Sequence, residues 1–187
     1  MPVLETERLL IRPFEPADLD ACHKLLNLEA WSNNRSIKWT RDYIDWSIRN
    51  YGWLAELRQP PYGDRAVVLK STGGFVGSTG LVPSWGPFDR LPSFGGDEGA
   101  DRFRPEFGLY WATRTAHLRQ GYASEAARAL VEYAFTSMNL ARIIATTQYE
   151  NAASQAVMRH LGMSIEHNPL PDPPWFQVVG VLQNTQQ

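Results

Sequence analysis

The segment from Glu106 to Met138 constrains the fold more than any other part of the chain. Phe107, Leu109 and Trp111 alternate with Glu106, Gly108 and Tyr110, a period of two that reads as a strand with two distinct faces. Small residues follow at Gly121, Ala123 and Ser124. Then Ala127, Leu130, Val131, Ala134, Phe135 and Met138 recur at helical spacing, predicting a helix over Ser124 to Met138. Arg142 to Gln148 reads as the next strand, Ala152 to Leu161 as a helix closed by a left-handed Gly162, and Phe176 to Leu182 as a final strand. Upstream, Arg8 to Phe14 is a short strand stopped by Pro13, and a helix begins near Pro16. A second helix is expected after Thr40 as its N-cap. Ala66 to Leu69 and Phe75 to Val82 form two strands joined by a glycine-containing turn. Residues 83–105, rich in Pro, Gly, Asp and Arg, read as a long loop. The order β-α-α-β-β-loop-β-α-β-α-β predicts an α+β fold, one domain over residues 1–187, with a mixed central sheet flanked by helices. Trp31, Trp39, Trp46 and Trp53 crowd the second helix, either as packing anchors of the core or as the lining of an acceptor pocket.

Composition removes several classes of function. Apolar residues make up 43% and charged residues 20%, a globular balance that argues against disorder, a collagen repeat or a coiled coil. The net charge of −2, with lysine only at positions 24, 38 and 70, provides no field to hold nucleic acid. A single cysteine, Cys22, cannot close an internal disulfide and suits a reducing compartment. His23, His117, His160 and His167 lack metal-ligand spacing, so no metal site is expected. Charged residues interrupt the first twelve positions, and no apolar run approaches the roughly 20 residues a bilayer requires. These features predict a soluble, cytoplasmic protein with no membrane or nucleic-acid partner.

The chemistry-bearing stretch is Leu118-Arg-Gln-Gly-Tyr-Ala-Ser-Glu-Ala126, between a strand and a helix. Gly121, Ala123 and Ser124 let a ligand approach the backbone, and the amides from Arg119 to Ser124 are those a starting helix leaves without partners. Such a terminus favours an anion, by roughly 0.3–1 kcal/mol when exposed and up to about 2 when partly buried. The plainer alternative is a turn that only starts a helix. Gly74, Gly77 and Gly80 are spaced GxxGxxG with no helix behind them, so a dinucleotide site is not indicated.

A second segment, Asn151-Ala-Ala-Ser-Gln-Ala-Val-Met-Arg-His-Leu-Gly-Met163, adds Ser at +3, Val at +6 and Leu-Gly-Met at +10 to +12 from the Asn. With the loop at 118–126 and the opening Glu5-Thr-Glu-Arg-Leu-Leu-Ile-Arg-Pro-Phe14, followed by Ala17-Asp18, it resembles the GNAT superfamily of acyl-CoA-dependent N-acyltransferases. The closest branch is that of the ribosomal-protein-alanine acetyltransferases, RimJ/RimL-like. The resemblance runs from about Leu4 to Leu182, leaving out only the 83–105 loop. It implies a single GNAT domain and acetyl-CoA, or another acyl-CoA, as donor, with the pyrophosphate on Arg119, Gln120, Gly121, Tyr122, Ala123 and Ser124. The pantetheine would run beside Leu109, Tyr110, Trp111, Ala112 and Thr113, and Asn151 and Ser154 would border the thioester. Relatives often dimerise, so a homodimer is an expected partner. Two departures stand out. Leu118 occupies the first position of the family's (R/Q)xxGx(G/A) loop, and Met158 stands where many relatives place a tyrosine acid. The branch suggests Ser154 as the replacement acid; the alternative is a small residue packed beside the donor.

An alkyl ammonium with a reference pKa near 10.4 carries a handicap of roughly 4.6 kcal/mol at pH 7 unless the site removes its proton. Glu106, opening the strand that flanks the thioester, is the best-placed carboxylate, acting directly or through a water. Its rival explanations are a pair with Arg104 or a contact to the substrate cation. Amides near Leu109 to Trp111 are candidate oxyanion donors, each typically worth about 2.7–4 kcal/mol. His117 and Asp101 do not suggest a triad. The leading expectation is direct acetyl transfer to a primary amine, either a protein N-terminus or a small amine. The alternative is a catalytically silent acyl-CoA-binding module, consistent with Leu118 and Met158.

Overall fold

The computed structural model describes residues 1–30 and 34–185. The chain forms two compact units, each assembled from separated stretches: residues 1–81 with 110–130, and residues 82–109 with 131–187. Both units share the edges of a few long elements, so each is described in turn.

In the first unit, β1 (Leu4–Glu5), β2 (Leu9–Arg12), β3 (Gly63–Leu69) and β4 (Phe75–Gly86) follow one another in antiparallel order. The pairing sets Ile11 beside Val67 and Leu9 beside Leu69. Side chains of successive strand residues leave opposite faces, and both faces here are covered. Leu9, Ile11, Val67 and Val76 pack with Ala126 of α3 (Tyr122–Thr136). Ala66, Val68 and Phe75 pack with Cys22 of α1 (Leu19–Lys24) and Ile44 of α2 (Ile37–Glu56). That double cover explains why residues 66–69 read as a continuous apolar run. The backbone of β4 comes so close to β5 (Arg104–Thr113) that a Cβ on Gly77 would lie 2.1 Å from the Ala112 carbonyl oxygen.

Helix α2 starts one turn before the expected Thr40. Ser36 is the cap, its hydroxyl accepting from the Trp39 amide at 3.2 Å. Thr40 is instead a buried helix residue whose hydroxyl bonds His23 Nδ1 at 2.8 Å. The reading of the tryptophans as core anchors is also corrected: Trp39, Trp46 and Trp53 are 37%, 54% and 66% exposed, because they share a face of α2 turned away from Ile44. Trp31 lies outside the described residues. Cys22 is fully buried, and burial foremost, with the charges of Asp18 and Asp64, pushes its thiol up to about 12, so it is inert as a nucleophile.

In the second unit the strands run β5, β6 (Arg142–Thr147), β8 (Val178–Gln183) and β7 (Ser164–His167). β5 pairs parallel to β6 at Gly108 and Ile144, whereas β6 and β7 pair antiparallel to β8, which makes the sheet mixed as expected. Helix α4 (Ala152–Leu161) ends on Gly162 at φ +83°, the left-handed cap read from the sequence. The stretch 83–105 is less of a loop than its composition suggests. β4 continues to Gly86, two single turns of 3-10 helix follow, and Phe88 and Leu91 are fully buried against Ile144, Phe176, Val179 and Val181. Among the described residues the two units contain eight strands and four α-helices, and no helix is long and apolar enough to cross a membrane.

Because the Gly77 contact is with backbone, relaxation cannot relieve it cheaply. Gly77→Ala is expected to lower stability by about 3 kcal/mol, the upper end for overpacking, read as a lower urea midpoint at unchanged m-value.

Candidate active site

Helix α3 begins where the sequence placed its anion site. Arg119 and Gly121 both hold left-handed backbone, at φ +60° and +80°, and turn the chain sharply into Tyr122. The first helical hydrogen bond runs from the Glu125 amide to the Gly121 carbonyl at 3.0 Å. The amides of Tyr122, Ala123 and Ser124 precede it and so have no acceptor within the helix. A Cβ on Gly121 would lie 3.4 Å from the Arg8 guanidinium. A cavity lined by Val76, Gly77, Trp111, Thr113, Tyr122 and Ala123 opens beside this turn. The expected pantetheine strand residues Tyr110, Trp111, Ala112 and Thr113 thus lie in the same unit as Arg119, Gln120, Gly121, Tyr122, Ala123 and Ser124.

Arg8 organises this turn, a role the sequence did not reveal. Its Nη1 donates to the Gln120 carbonyl at 3.0 Å, its Nε to Glu125 at 2.6 Å, and its guanidinium lies 4.4 Å from the Tyr122 ring centroid. Glu125 also accepts from the Thr6 hydroxyl at 2.5 Å and the Arg8 amide at 3.0 Å. Burial alone would raise the Glu125 carboxyl, but the Thr6 and Arg8 hydrogen bonds and the Arg8 charge outweigh it and hold the group below its ordinary range. On the approach to the turn, Glu29 accepts from the Thr115 amide at 3.0 Å and pairs with Arg114 at 3.4 Å. Leu118 is half exposed and offers no polar contact, so positive charge near the loop comes from Arg8 and Arg119.

The remaining expected site residues, Glu106, Leu109, Asn151 and Ser154, belong to the second unit. Asn151 is the N-cap of α4, its side-chain oxygen accepting from the Ser154 amide at 3.0 Å. The Asn-x-x-Ser spacing is therefore a cap, and it leaves the Ser154 hydroxyl without a protein partner among the described residues. Met158 is fully buried, in contact range of Gly180 alongside Met163, which explains an apolar side chain where relatives carry a tyrosine. Glu106 does not pair with Arg104, which binds Asp89 at 2.5 Å. Both of its carboxylate oxygens accept instead from Arg142, through Nε at 2.8 Å and through Nη2. That hydrogen-bonded pair raises the Arg142 pKa. Among the described residues no three His, Cys, Asp or Glu side chains cluster to hold a metal ion.

A mixed sheet and a helix whose first turn lines a cavity define an acyl-CoA-dependent acetyltransferase once its relatives are considered. The family model described as an acetyltransferase (GNAT) domain matches residues 8–164, and the chain belongs to that family. Over 56 residues, 30% of this chain and 33% of the other, it is 52% identical to an uncharacterized N-acetyltransferase, YnaD, of Bacillus subtilis; that match spans a third of the relative. A GNAT-family acetyltransferase structure from Bacillus anthracis superposes with a TM-score of 0.70 at 24% identity, covering 99% of this chain and 100% of the other. RimL, an alpha-N-protein acetyltransferase of a ribosomal protein solved with coenzyme A, superposes with a TM-score of 0.62 at 15% identity, covering 96% of each chain. These structural likenesses establish the fold.

The Glu125 contacts carry a pH signature. Its folded-state pKa lies below the ordinary 4.5, so its contribution is present above that value and is lost as pH falls through the folded-state pKa. Glu125→Gln is expected to cost about 1–2 kcal/mol at pH 7, and chemical denaturation repeated at falling pH should show the gap to wild type shrinking once the carboxylate protonates.

Proposed function

We propose that this chain transfers the acetyl group of acetyl-CoA to a primary amine, a small amine or a protein N-terminus, by direct attack on the thioester. One observation carries the reading: the left-handed turn at Gly121 leads into a helix whose first amides have no acceptor within it, and Tyr122 and Ala123 of that first turn line a cavity. Two phosphates of a coenzyme A donor suit such donors, since the helix dipole and the amides act together without reorganising. The pantetheine arm is assigned to Leu109 through Thr113 and the thioester to the neighbourhood of Asn151 and Ser154. Ser154 is assigned the proton delivered to the leaving sulfur, because its amide, not its hydroxyl, serves the α4 cap.

Glu106 is assigned a proton-accepting part through a water, and its Arg142 pair limits that part. Both of its oxygens already accept N–H bonds from the guanidinium, so an incoming water competes with Arg142 for them. The likeness to RimL supports a RimJ/RimL-like acceptor, and with it a cytoplasmic, dimeric enzyme.

Following free thiol while the protein is incubated with acetyl-CoA and a panel of amines tests the reaction. Release above the amine-free blank is expected for at least one primary amine, and coenzyme A binding with no release from any would overturn it. Gly121→Glu places a strained, negatively charged residue in the turn and is expected to weaken coenzyme A binding at least about 100-fold, as two to three lost charge-assisted hydrogen bonds would; calorimetry reads this directly. Glu106→Gln is expected to reduce kcat less than about 10-fold, well short of the 10²–10⁴ that an unencumbered general base is worth.

A further inference from the structure

The first unit holds a second carboxylate, which no step above uses. Asp64 of β3 pairs with Gly80 of β4, and because Gly80 has no side chain, Asp64 Oδ1 lies 2.9 Å from where a Cβ would stand. The Tyr43 hydroxyl of α2 donates to Asp64 Oδ2. Tyr110 of β5 is near enough for the Asp64 charge to raise its pKa, and the Tyr110 hydroxyl accepts from Ser78 Oγ at 3.4 Å. Among the described residues no Lys, Arg or His makes an ion pair with Asp64.

Depth and access coexist here. Burial is the largest cause raising the pKa values of Asp64, Tyr43 and Tyr110 alike, yet all three side chains keep intermediate exposure. The group is therefore deep but not sealed from solvent. Its aromatic wall continues outward along α2: the Trp39 ring lies parallel to Tyr43 at 5.6 Å with 2° between planes, and Trp46 stacks on Tyr43 at 6.4 Å. A carboxylate withdrawn from water with only a phenol for company lacks a counter-charge, and an incoming ammonium would supply one. Aromatic faces attract the same cation and tolerate an apolar body behind it.

We propose that Asp64, Tyr43 and Tyr110 form the acceptor subsite, in which the Asp64 carboxylate receives the ammonium of a primary amine bearing an apolar or aromatic body. This rests on the acetyl-transfer reading above. One ammonium proton passes to Asp64 and on to solvent, and the freed lone pair forms the C–N bond. The C–S bond then breaks, and the departing thiolate leaves as the thiol with the second proton lost from nitrogen. The overall change is ammonium plus acetyl thioester to amide, thiol and one proton.

Steady-state thiol release by the full chain, with phenethylamine, taurine and an alanine-initiated peptide as probes, tests the assignment. Phenethylamine is expected to be the best of the three. Asp64→Asn is expected to lower its kcat/KM about 100-fold, the loss of one charge-assisted pair, with coenzyme A affinity unchanged. Should that variant fail to fold, Tyr43→Phe keeps the ring and removes only the donor to the carboxylate, and the phenethylamine KM is expected to rise about 10-fold. Parameters within twofold of wild type in the variant that folds, or a wild type that uses only taurine or the peptide, would overturn the subsite. Silence with every amine, while coenzyme A still binds, would overturn the acetyl-transfer reading instead.

Discussion

The clasp between Arg8 and Glu125 governs the geometry at the start of α3. A guanidinium ahead of β2 reaches across to the Gln120 carbonyl, the Glu125 carboxylate and the Tyr122 ring, fixing a turn that needs left-handed backbone at both Arg119 and Gly121. Left-handed backbone at a residue with a Cβ, as at Arg119, costs about 1–3 kcal/mol and persists only where the surroundings over-determine it. Here the surroundings do so with four hydrogen bonds and a ring contact. The consequence is a helix start whose first amides have no acceptor within the helix, with Leu118 contributing nothing polar.

Two carboxylates, Glu106 of β5 and Asp64 of β3, have different partners. Both oxygens of Glu106 accept from the two-pronged Arg142 guanidinium, which satisfies the carboxylate. Asp64 accepts from the Tyr43 hydroxyl and, among the described residues, makes no ion pair; burial raises its pKa against the Tyr43 hydrogen bond.

Much of the scaffold was legible because its signals are local. The left-handed cap at Gly162, the α3 stripe and the strands at 142 and 178 rest on periodicity and on turn chemistry within a few residues. The errors came where two local rules competed. Ser36 and Thr40 are both acceptable caps, and the burial of Thr40 against His23, a contact 17 residues away, settled the choice. Proline and glycine made 83–105 look like a loop, but Phe88 and Leu91 had a core to enter, supplied by β6 and β8. Of the two readings open for the tryptophans, the core one rests on large apolar rings usually being buried; which face of α2 is buried depends on what packs against it.

By itself the sequence determined six of the eight strands and the four helices among the described residues, missing the short β1 and β7, together with the helix-start turn at Arg119 to Ser124 and the membership in a family of acetyl-CoA users, since each is encoded by residues close together in the chain. Only the tertiary structure decided that Glu106 meets Arg142, 36 residues on, that Arg8 meets Glu125, 117 residues on, and that Asp64 meets Tyr43, 21 residues back. The reason is physical: a carboxylate's character is set by the charges, donors and water within a few ångströms, and those neighbours are chosen by strand register and helix packing, which one-dimensional spacing does not contain.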